Sequence, residues 1–263
     1  MNLKNKVVMI TGASSGIGES LVYEFDKRNA RIIIAARREK ELIRVKNNCK
    51  NPENILIQPL DLENHDEIPQ KVEQVLKQTG RIDILVNNGG ISQRSLVKDT
   101  PLEVDKRIMN VNFFGTVALT KAVLPSMLQN KYGHIVVISS VTGKVGVKLR
   151  SAYAASKHAL HGFFDSLRYE TWKEHIKVTI ICPGYIRTNV SINALTADGS
   201  VQNTMDEATD NGMEPDYLAK KIIHAVIKEK EEVVIAGKEK LGIYLKRFFP
   251  SLLSKLMRNA KVT

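Results

Sequence analysis

Short runs of consecutive, mostly β-branched apolar residues recur along this chain. They are separated by longer stretches in which apolar positions return every three or four residues. The runs at 6–10, 31–35, 55–58, 82–86, 134–139, 177–181 and 232–235 predict strands. Several are apolar at successive positions rather than alternating, which is what a strand covered by helices on both faces requires. The stretches between them predict helices over 16–29, 38–48, 64–79, 102–129, 152–174 and 215–229. Pro101 stands at the start of the 102–129 helix, a favoured place, and Pro125 should kink it or mark its last turn. Alternation of this kind predicts an α/β fold with a parallel sheet. No linker, repeat or low-complexity segment divides the chain, so residues 1–263 are expected to form a single domain.

Two segments break the rhythm. Residues 188–212 are polar and rich in Gly and Asn, and a loop this long after a strand predicts a lid or a binding loop for substrate. The tail 238–263 sets Leu241, Ile243, Leu245, Phe248, Phe249, Leu252, Leu253, Leu256 and Met257 among seven basic residues, against Glu239 alone. A basic amphipathic tail can make peripheral contact with a membrane interface. It can equally cover a substrate pocket or a neighbouring subunit.

The net charge of +11 is compatible with a lysine-biased soluble surface or with attraction to an anionic cofactor, carrier or membrane. The basic residues are dispersed and form no helix-turn-helix or finger, so nucleic acid is not expected as a partner. Cys49 and Cys182 are far apart, have no metal-ligand spacing, and suggest no disulfide framework. The run Val7–Ile10 is too short for a secretion signal, and no stretch approaches the roughly 20 apolar residues of a spanning helix. A cytoplasmic location is the expectation. The six histidines form no metal constellation in sequence, and no metal is expected.

The first predicted strand ends in Thr11-Gly-Ala-Ser-Ser-Gly-Ile-Gly18, and a helical pattern follows at once. Gly12 permits a tight turn, Gly16 lets the backbone approach a pyrophosphate, and Gly18 allows close helix–strand packing. The helix N-terminus adds N–H donors and a favourable dipole. Glu19 stands where a Walker A loop would need Lys-Ser/Thr, which excludes that motif. The second strand ends Ala36-Arg37-Arg38, where a cofactor with a free adenosine ribose usually meets an acidic residue. A guanidinium here favours a 2′-phosphate, so NADP(H) is expected over NAD(H), with Arg37 as the main contact. Asp61, at another strand end, can reach the adenine.

Four tyrosines are followed four residues later by lysine: Tyr23/Lys27, Tyr153/Lys157, Tyr169/Lys173 and Tyr217/Lys221. On a helix such a pair shares one face, and an ammonium beside a phenol lowers its pKa from roughly 10. Only Tyr153/Lys157 follows a strand-end serine, Ser140, at a suitable distance, and its small neighbours leave room for a cofactor.

With these residues on the page, the chain resembles the short-chain dehydrogenase/reductase family. The resemblance rests on Thr11-Gly12-x3-Gly16-x-Gly18, Asp61, Asn87-Asn-Gly-Gly90, Asn112, Ser140, Tyr153-x3-Lys157 and Pro183-Gly184 with Thr188. It runs in order from Val7 to about Ile235. The segments 87–95, 183–191 and 205–209 look closest to the dehydrogenase/reductase member-7-like branch, near the 11β-hydroxysteroid dehydrogenases. Gly89 departs from the family's usual alanine, and this is expected to loosen the backbone there. Members of that neighbourhood often carry an N-terminal membrane anchor, which this sequence does not show.

The resemblance implies a Rossmann-type, doubly wound, seven-stranded parallel sheet flanked by helices. It implies catalytic roles for Asn112, Ser140, Tyr153 and Lys157, with Tyr153 as the proton donor and Lys157 holding the nicotinamide ribose. Asn112 would bind a relay water through its backbone. Cofactor contacts are implied for Gly12, Ser14, Ser15, Gly16, Ile17, Gly18, Arg37, Arg38, Asp61, Leu62, Asn88, Gly89, Tyr153, Lys157, Pro183, Gly184, Ile186 and Thr188. The reaction class is hydride transfer between the nicotinamide and a small-molecule carbonyl or secondary alcohol. A 3-oxoacyl reductase, a steroid or retinoid reductase and an unspecialised carbonyl reductase all remain open, as does a cofactor-binding regulator without turnover. A homodimer or homotetramer is the family's usual assembly. Trp172 and Phe163/Phe164 read as core or subunit interface. His158 and His161 read as packing.

Overall fold

The computed structural model describes residues 1–260; the last three residues of the tail, 261–263, lie outside them. Seven strands form one parallel sheet: β1 (Val7–Thr11), β2 (Arg31–Ala36), β3 (Ile55–Pro59), β4 (Ile84–Asn87), β5 (Gly133–Ile138), β6 (Ile176–Pro183) and β7 (Glu232–Ile235), in the order β3-β2-β1-β4-β5-β6-β7. The consecutive apolar runs have a direct reason. In β1, Val8 and Ile10 enter one core while Val7 and Met9 enter the other. Ile32 and Ile34 of β2 likewise oppose Ile33 and Ala35.

The first core is closed by α1 (Gly16–Asp26), α2 (Glu39–Asn47) and α8 (Pro215–Ile227). The second is closed by α3 (Ile68–Thr79), α5 (Gly115–Gln129) and α6 (Ser151–Glu170). Strand order reverses between β1 and β4, whose carboxyl ends, Thr11 and Asn87, therefore flank the crevice where a doubly wound sheet binds ligands.

Several boundaries differ from the sequence expectation. The 16–29 helix stops at Asp26, because the chain turns through Asn29 at a φ of 55°. The 64–79 helix begins only at Ile68, with Pro69 in its first turn. The 102–129 helix is one rod in three parts: α4 (Leu102–Met109), a π-helical turn (Asn110–Phe114) and α5. Pro125 sits inside α5, one turn from its end. By length and composition this rod could cross a membrane, contrary to the sequence reading. In the fold, Leu119, Val123 and Met127 on it are fully buried in the second core.

The 188–212 segment is mostly irregular, with one short helix, α7 (Glu207–Asp210). The tail forms two helices, α9 (Lys240–Phe248) and α10 (Pro250–Asn259), broken where Pro250 cannot continue the first. Phe164 is core as expected, but Trp172 is 66% exposed.

Candidate active site

Two adjoining cavities open at the carboxyl end of the sheet. The first, of about 440 Å³, is lined by Thr11, Gly12, Ser14, Ser15, Gly16 and Ile17 from the glycine loop, by Arg37 and Arg38, by Asp61 and Leu62, and by Asn88 and Gly89. Gly12 has a φ of 64°, and a Cβ on Gly18 would lie 2.2 Å from the Gly12 carbonyl oxygen, so α1 packs as close to the loop as glycine permits. Thr11 fastens the loop to β4: its hydroxyl accepts from the backbone N–H of Asn88 (3.0 Å) and Gly89 (2.9 Å). Asn88 returns a side-chain bond to the Thr11 carbonyl at 2.9 Å. Gly89 is thus hydrogen-bonded to the end of β1. A Cβ there would meet Leu62 Cδ1 at 2.6 Å, the far end of a side chain that can turn aside.

The second cavity, of about 470 Å³, holds Ser140, Tyr153 and Lys157 together with Pro183, Gly184, Ile186 and Thr188. It shares Ile17, Asn88, Gly90, Ile91, Thr188 and Val190 with the first. The rest of its wall is largely apolar, and α9 and α10 roof it with Leu241, Leu245, Leu253, Leu256 and Met257. The tail therefore covers the pocket, one of its three expected roles. Gly184 lines this cavity, and on its Cβ side it packs against Glu239 and Ala236, where a Cβ would lie 2.7 Å from Glu239 Oε1 and 2.8 Å from Ala236 Cβ.

The four catalytic candidates converge. Ser140, just past β5, accepts from the Thr142 N–H at 3.1 Å, and its hydroxyl is among the groups that draw the Tyr153 phenol down. Lys157, one turn along α6, donates to the Ile138 carbonyl at 2.9 Å, and its Nζ lies 5.7 Å from the centre of the Tyr153 ring. Burial lowers its pKa to about 8. Asn112 is fully buried in the π-turn, accepting from the Ile91 N–H (2.8 Å) and donating to the Ile91 carbonyl (2.9 Å) and Ser156 Oγ (3.0 Å). Its side chain thus braces the loop after β4 against α6.

Burial pushes the Tyr153 phenol above its ordinary value, while Arg150, the Ser140 hydroxyl and Arg94 pull it back. Lys157 is not among these groups, and its ammonium donates to the Ile138 carbonyl.

Three residues escaped the sequence reading except as members of the segments 87–95 and 205–209. Gln93 is fully buried, and its side-chain carbonyl accepts from the N–H groups of Ala152 (2.9 Å) and Tyr153 (3.3 Å). It caps the first turn of α6 from another loop, where Arg150 offers no side-chain cap. Arg94 and Asp206 form a buried ion pair that Arg150 joins. No local pattern marks them, since Asp206 lies 112 positions beyond Arg94.

The other tyrosine–lysine pairs are elsewhere. Tyr23 donates to Glu19 at 2.7 Å, and burial with that carboxylate raises it to about 12. Tyr169 and Tyr217 are 70% and 50% exposed. Among the described residues His161, Cys182 and Glu232 do converge, which the sequence spacing did not suggest. His161 Nε2 is 3.0 Å from Ser139 Oγ, and the Lys144 ammonium sits 2.7 Å from Glu232. His161 and Lys144 hold the Glu232 carboxyl down to about 2. A cation beside that carboxylate opposes a metal there, and the group reads as a hydrogen-bonded network behind the site.

A family model described as short chain dehydrogenase matches residues 6–198. The chain belongs to the short-chain dehydrogenase/reductase family. Within that family it is 46% identical over 268 residues to the dehydrogenase/reductase SDR family protein 7-like of Drosophila melanogaster, covering 99% of this chain and 82% of that protein. It is 42% identical to the SDR family member 7B of Xenopus laevis, covering 97% and 81%. These relatives support the member-7-like branch. A short-chain dehydrogenase from Streptomyces avermitilis superposes with a TM-score of 0.84 at 27% identity, over 99% of this chain and 100% of that one. A short-chain dehydrogenase/reductase from Burkholderia phymatum, solved in complex with NAD, shares the fold with a TM-score of 0.83 at 18% identity, over 100% and 99%.

Membership of the family implies an oxidoreductase of CH–OH and C=O groups with a nicotinamide cofactor. The first cavity fits such a group. The backbone is too close-packed for a side chain at Gly12 or Gly18, α1 starts at the loop, and cationic and hydroxyl side chains stand at the rim.

Proposed function

We propose that this chain is an NADP(H)-dependent oxidoreductase of apolar carbonyl compounds and secondary alcohols, with Tyr153 as its general acid/base. The observation that carries this is the convergence of Ser140, Tyr153 and Lys157 in one largely apolar cavity that adjoins the glycine-loop cavity. The bound nicotinamide would supply hydride for reduction or accept it in oxidation. Ser140 would donate a hydrogen bond to the substrate oxygen. Tyr153 would pass its proton to that oxygen, and the cations around it would stabilise the phenolate left behind. Alcohol oxidation needs the phenolate and should rise with pH through the Tyr153 pKa; reduction needs the phenol and should fall. Val141, Val145, Val147, Leu245, Leu253 and Met257 favour a substrate with an extended apolar body.

Arg37 and Arg38 at the end of β2, with Ala36 where an acidic residue would serve a free ribose, support NADP(H) over NAD(H). The free, buried thiols of Cys49 and Cys182 support a reducing, cytoplasmic setting. Exposed Phe114 on the π-turn, Leu128 on α5 and Tyr169 on α6 support assembly into a homodimer or homotetramer through those helices.

The test is NADPH oxidation, followed by absorbance, across a panel of ketones and aldehydes of increasing apolar length. Turnover should appear and improve with chain or ring size. Tight NADPH binding with no turnover of any carbonyl, and none of alcohols with NADP+, would instead make the protein a cofactor-binding regulator.

The outer face of α9 and α10 supports a peripheral membrane contact. Tyr244, Phe248, Phe249 and Leu252 are exposed there, among Lys240, Lys246, Arg247, Lys255 and Arg258. Co-sedimentation with vesicles containing phosphatidylserine should recover the full chain in the pellet. A Phe248→Glu/Phe249→Glu variant should stay roughly tenfold more in the supernatant, since it loses apolar insertion and gains repulsion. Equal supernatant recovery of both proteins would count against the contact.

A further inference from the structure

Beside Tyr153 the loop after β4 meets the 188–212 segment in a cluster of buried charges. The meeting is fixed by backbone: Arg94 N–H donates to the Leu195 carbonyl at 2.8 Å, and Leu195 N–H to the Ser92 carbonyl at 2.9 Å. Gln93, one residue before Arg94, is bonded to the backbone N–H of Tyr153 itself. Arg94 therefore cannot drift from the tyrosine without dismantling the cap on α6. Its Nε donates to Asp206 Oδ2 at 2.7 Å and its Nη2 to the same oxygen; Arg150 Nη2 reaches that oxygen too, at 3.2 Å. The three side chains are 5%, 2% and 5% exposed for Arg94, Asp206 and Arg150. Both arginines also line the cavity that holds Tyr153.

Desolvating three charges is costly, and as a source of stability alone such a cluster is matched by well-packed apolar side chains. Its place against a phenol that must ionise suggests a different use. We propose that Arg94 and Asp206 are positioning residues that set the ionisation of Tyr153: Arg94 presents guanidinium charge to the phenolate, and Asp206 moderates that charge while tying it to the 188–212 segment. The inference rests on the reading of Tyr153 as the acid/base.

Charged and polar groups surround Tyr153 from several elements, while α4 packs Val104 and Ile108 against it. Lys157 lies on its own helix, Arg150 just before it, and Arg94 on the loop after β4. Ser140 comes from the end of β5, and Asp206 acts through the arginines. From the segment after β6 comes Tyr185, whose hydroxyl accepts from Arg150 at 3.3 Å and whose N–H donates to Glu239 at 3.0 Å. A buried lysine gives up its proton readily, whereas a guanidinium does not. Arg94 is thus a standing charge where Lys157 is a titrating one.

The test reads Tyr153 directly. The full chain is labelled with carbon-13 at the tyrosine ζ position, the Tyr153 resonance is assigned by its loss in Tyr153→Phe, and its shift is followed against pH without substrate. Arg94→Gln should raise the pKa by about one unit, and Asp206→Asn should lower it by about one, because an opposite charge favours the phenolate and its screening carboxylate opposes it. Arg94→Lys, which keeps the charge, should stay near the parent value. If Arg94→Gln does not fold, Arg94→Met removes the charge without leaving a buried amide, and its shift must again be upward. Shifts of the same sign in the Arg94 and Asp206 variants, or no shift in either, would overturn the proposal by leaving the cluster a purely structural brace. Neither result depends on a substrate, so a silent carbonyl panel and a flat titration are separate failures.

Discussion

Replacing Tyr153 by phenylalanine is expected to lower NADPH turnover with every accepted carbonyl by about 10²–10⁴-fold, with NADPH affinity held within about twofold. The substitution removes one oxygen and keeps the ring, which packs against the small cluster of Val104, Ile108, Ala152 and Leu195. The surroundings should therefore survive. Ser140 stays held by the Thr142 N–H, and Asn112 still braces Ile91 against Ser156. What vanishes is the proton. Lys157 can give up a proton, but its Nζ is hydrogen-bonded to the Ile138 carbonyl and lies 5.7 Å from the centre of the Tyr153 ring, not at the place of the phenol. Arg94 and Arg150 hold protons too firmly to give them up. Single-turnover absorbance measurements beside fluorescence titration of NADPH separate the two quantities. Residual turnover within tenfold of the parent would assign the proton to another group. A matching loss of NADPH affinity would make the tyrosine a binding residue.

Much of this site was legible because its parts are local. A glycine loop after a strand, an Arg-Arg pair after the next strand, and a tyrosine and lysine one helical turn apart each carry their meaning within a few residues. The strand runs announced a two-sided sheet because Val7 to Ile10 and Arg31 to Ala35 leave no polar face. Boundaries were less legible, because turns such as the one through Asn29 are decided by tertiary contact rather than propensity. The π-turn at Asn112 left no trace in periodicity, since one extra residue per turn shifts the pattern too little to read.

The charges that surround Tyr153 were hidden for a different reason. Arg94 and Asp206 are brought together by a loop–loop bridge between Gln93 and Leu195, a contact of one residue with no repeating pattern behind it. The i, i+4 spacing therefore assigned the pull on the phenol to Lys157, although Arg150 stands three residues before Tyr153. The fold divides that work differently. Lys157 donates to the strand-end carbonyl of Ile138, while the two arginines line the Tyr153 cavity from two loops, and residues 188–212 hold both through Asp206. Ordering of residues 188–212 and readiness of Tyr153 become parts of one arrangement.

The Arg37→Asp variant is expected to move the NADPH-to-NADH ratio of kcat/KM by about a hundredfold toward NADH. Of the three arginines near the glycine loop, two already have work. Arg44 is paired with Glu19 at 2.7 Å and Glu41 at 2.8 Å, and Arg38 reaches Ser14 Oγ at 3.2 Å and Ser15 Oγ at 3.4 Å. Arg37 is exposed at the rim of the same cavity and makes no hydrogen bond or ion pair among the described residues. It is the guanidinium free to take a 2′-phosphate, by a charge-assisted bond of about 1.5–3 kcal/mol. Aspartate there removes that bond, repels the phosphate, and offers a free ribose the carboxylate that Ala36 and Arg37 deny it. At about 1.4 kcal/mol per tenfold, losing the bond and adding the repulsion together reach about two orders of magnitude. Steady-state kinetics with each cofactor, on one carbonyl substrate, give the ratio directly. NADPH kinetics unchanged by the substitution would return both arginines to the solvated start of α2 and require the phosphate to be recognised elsewhere.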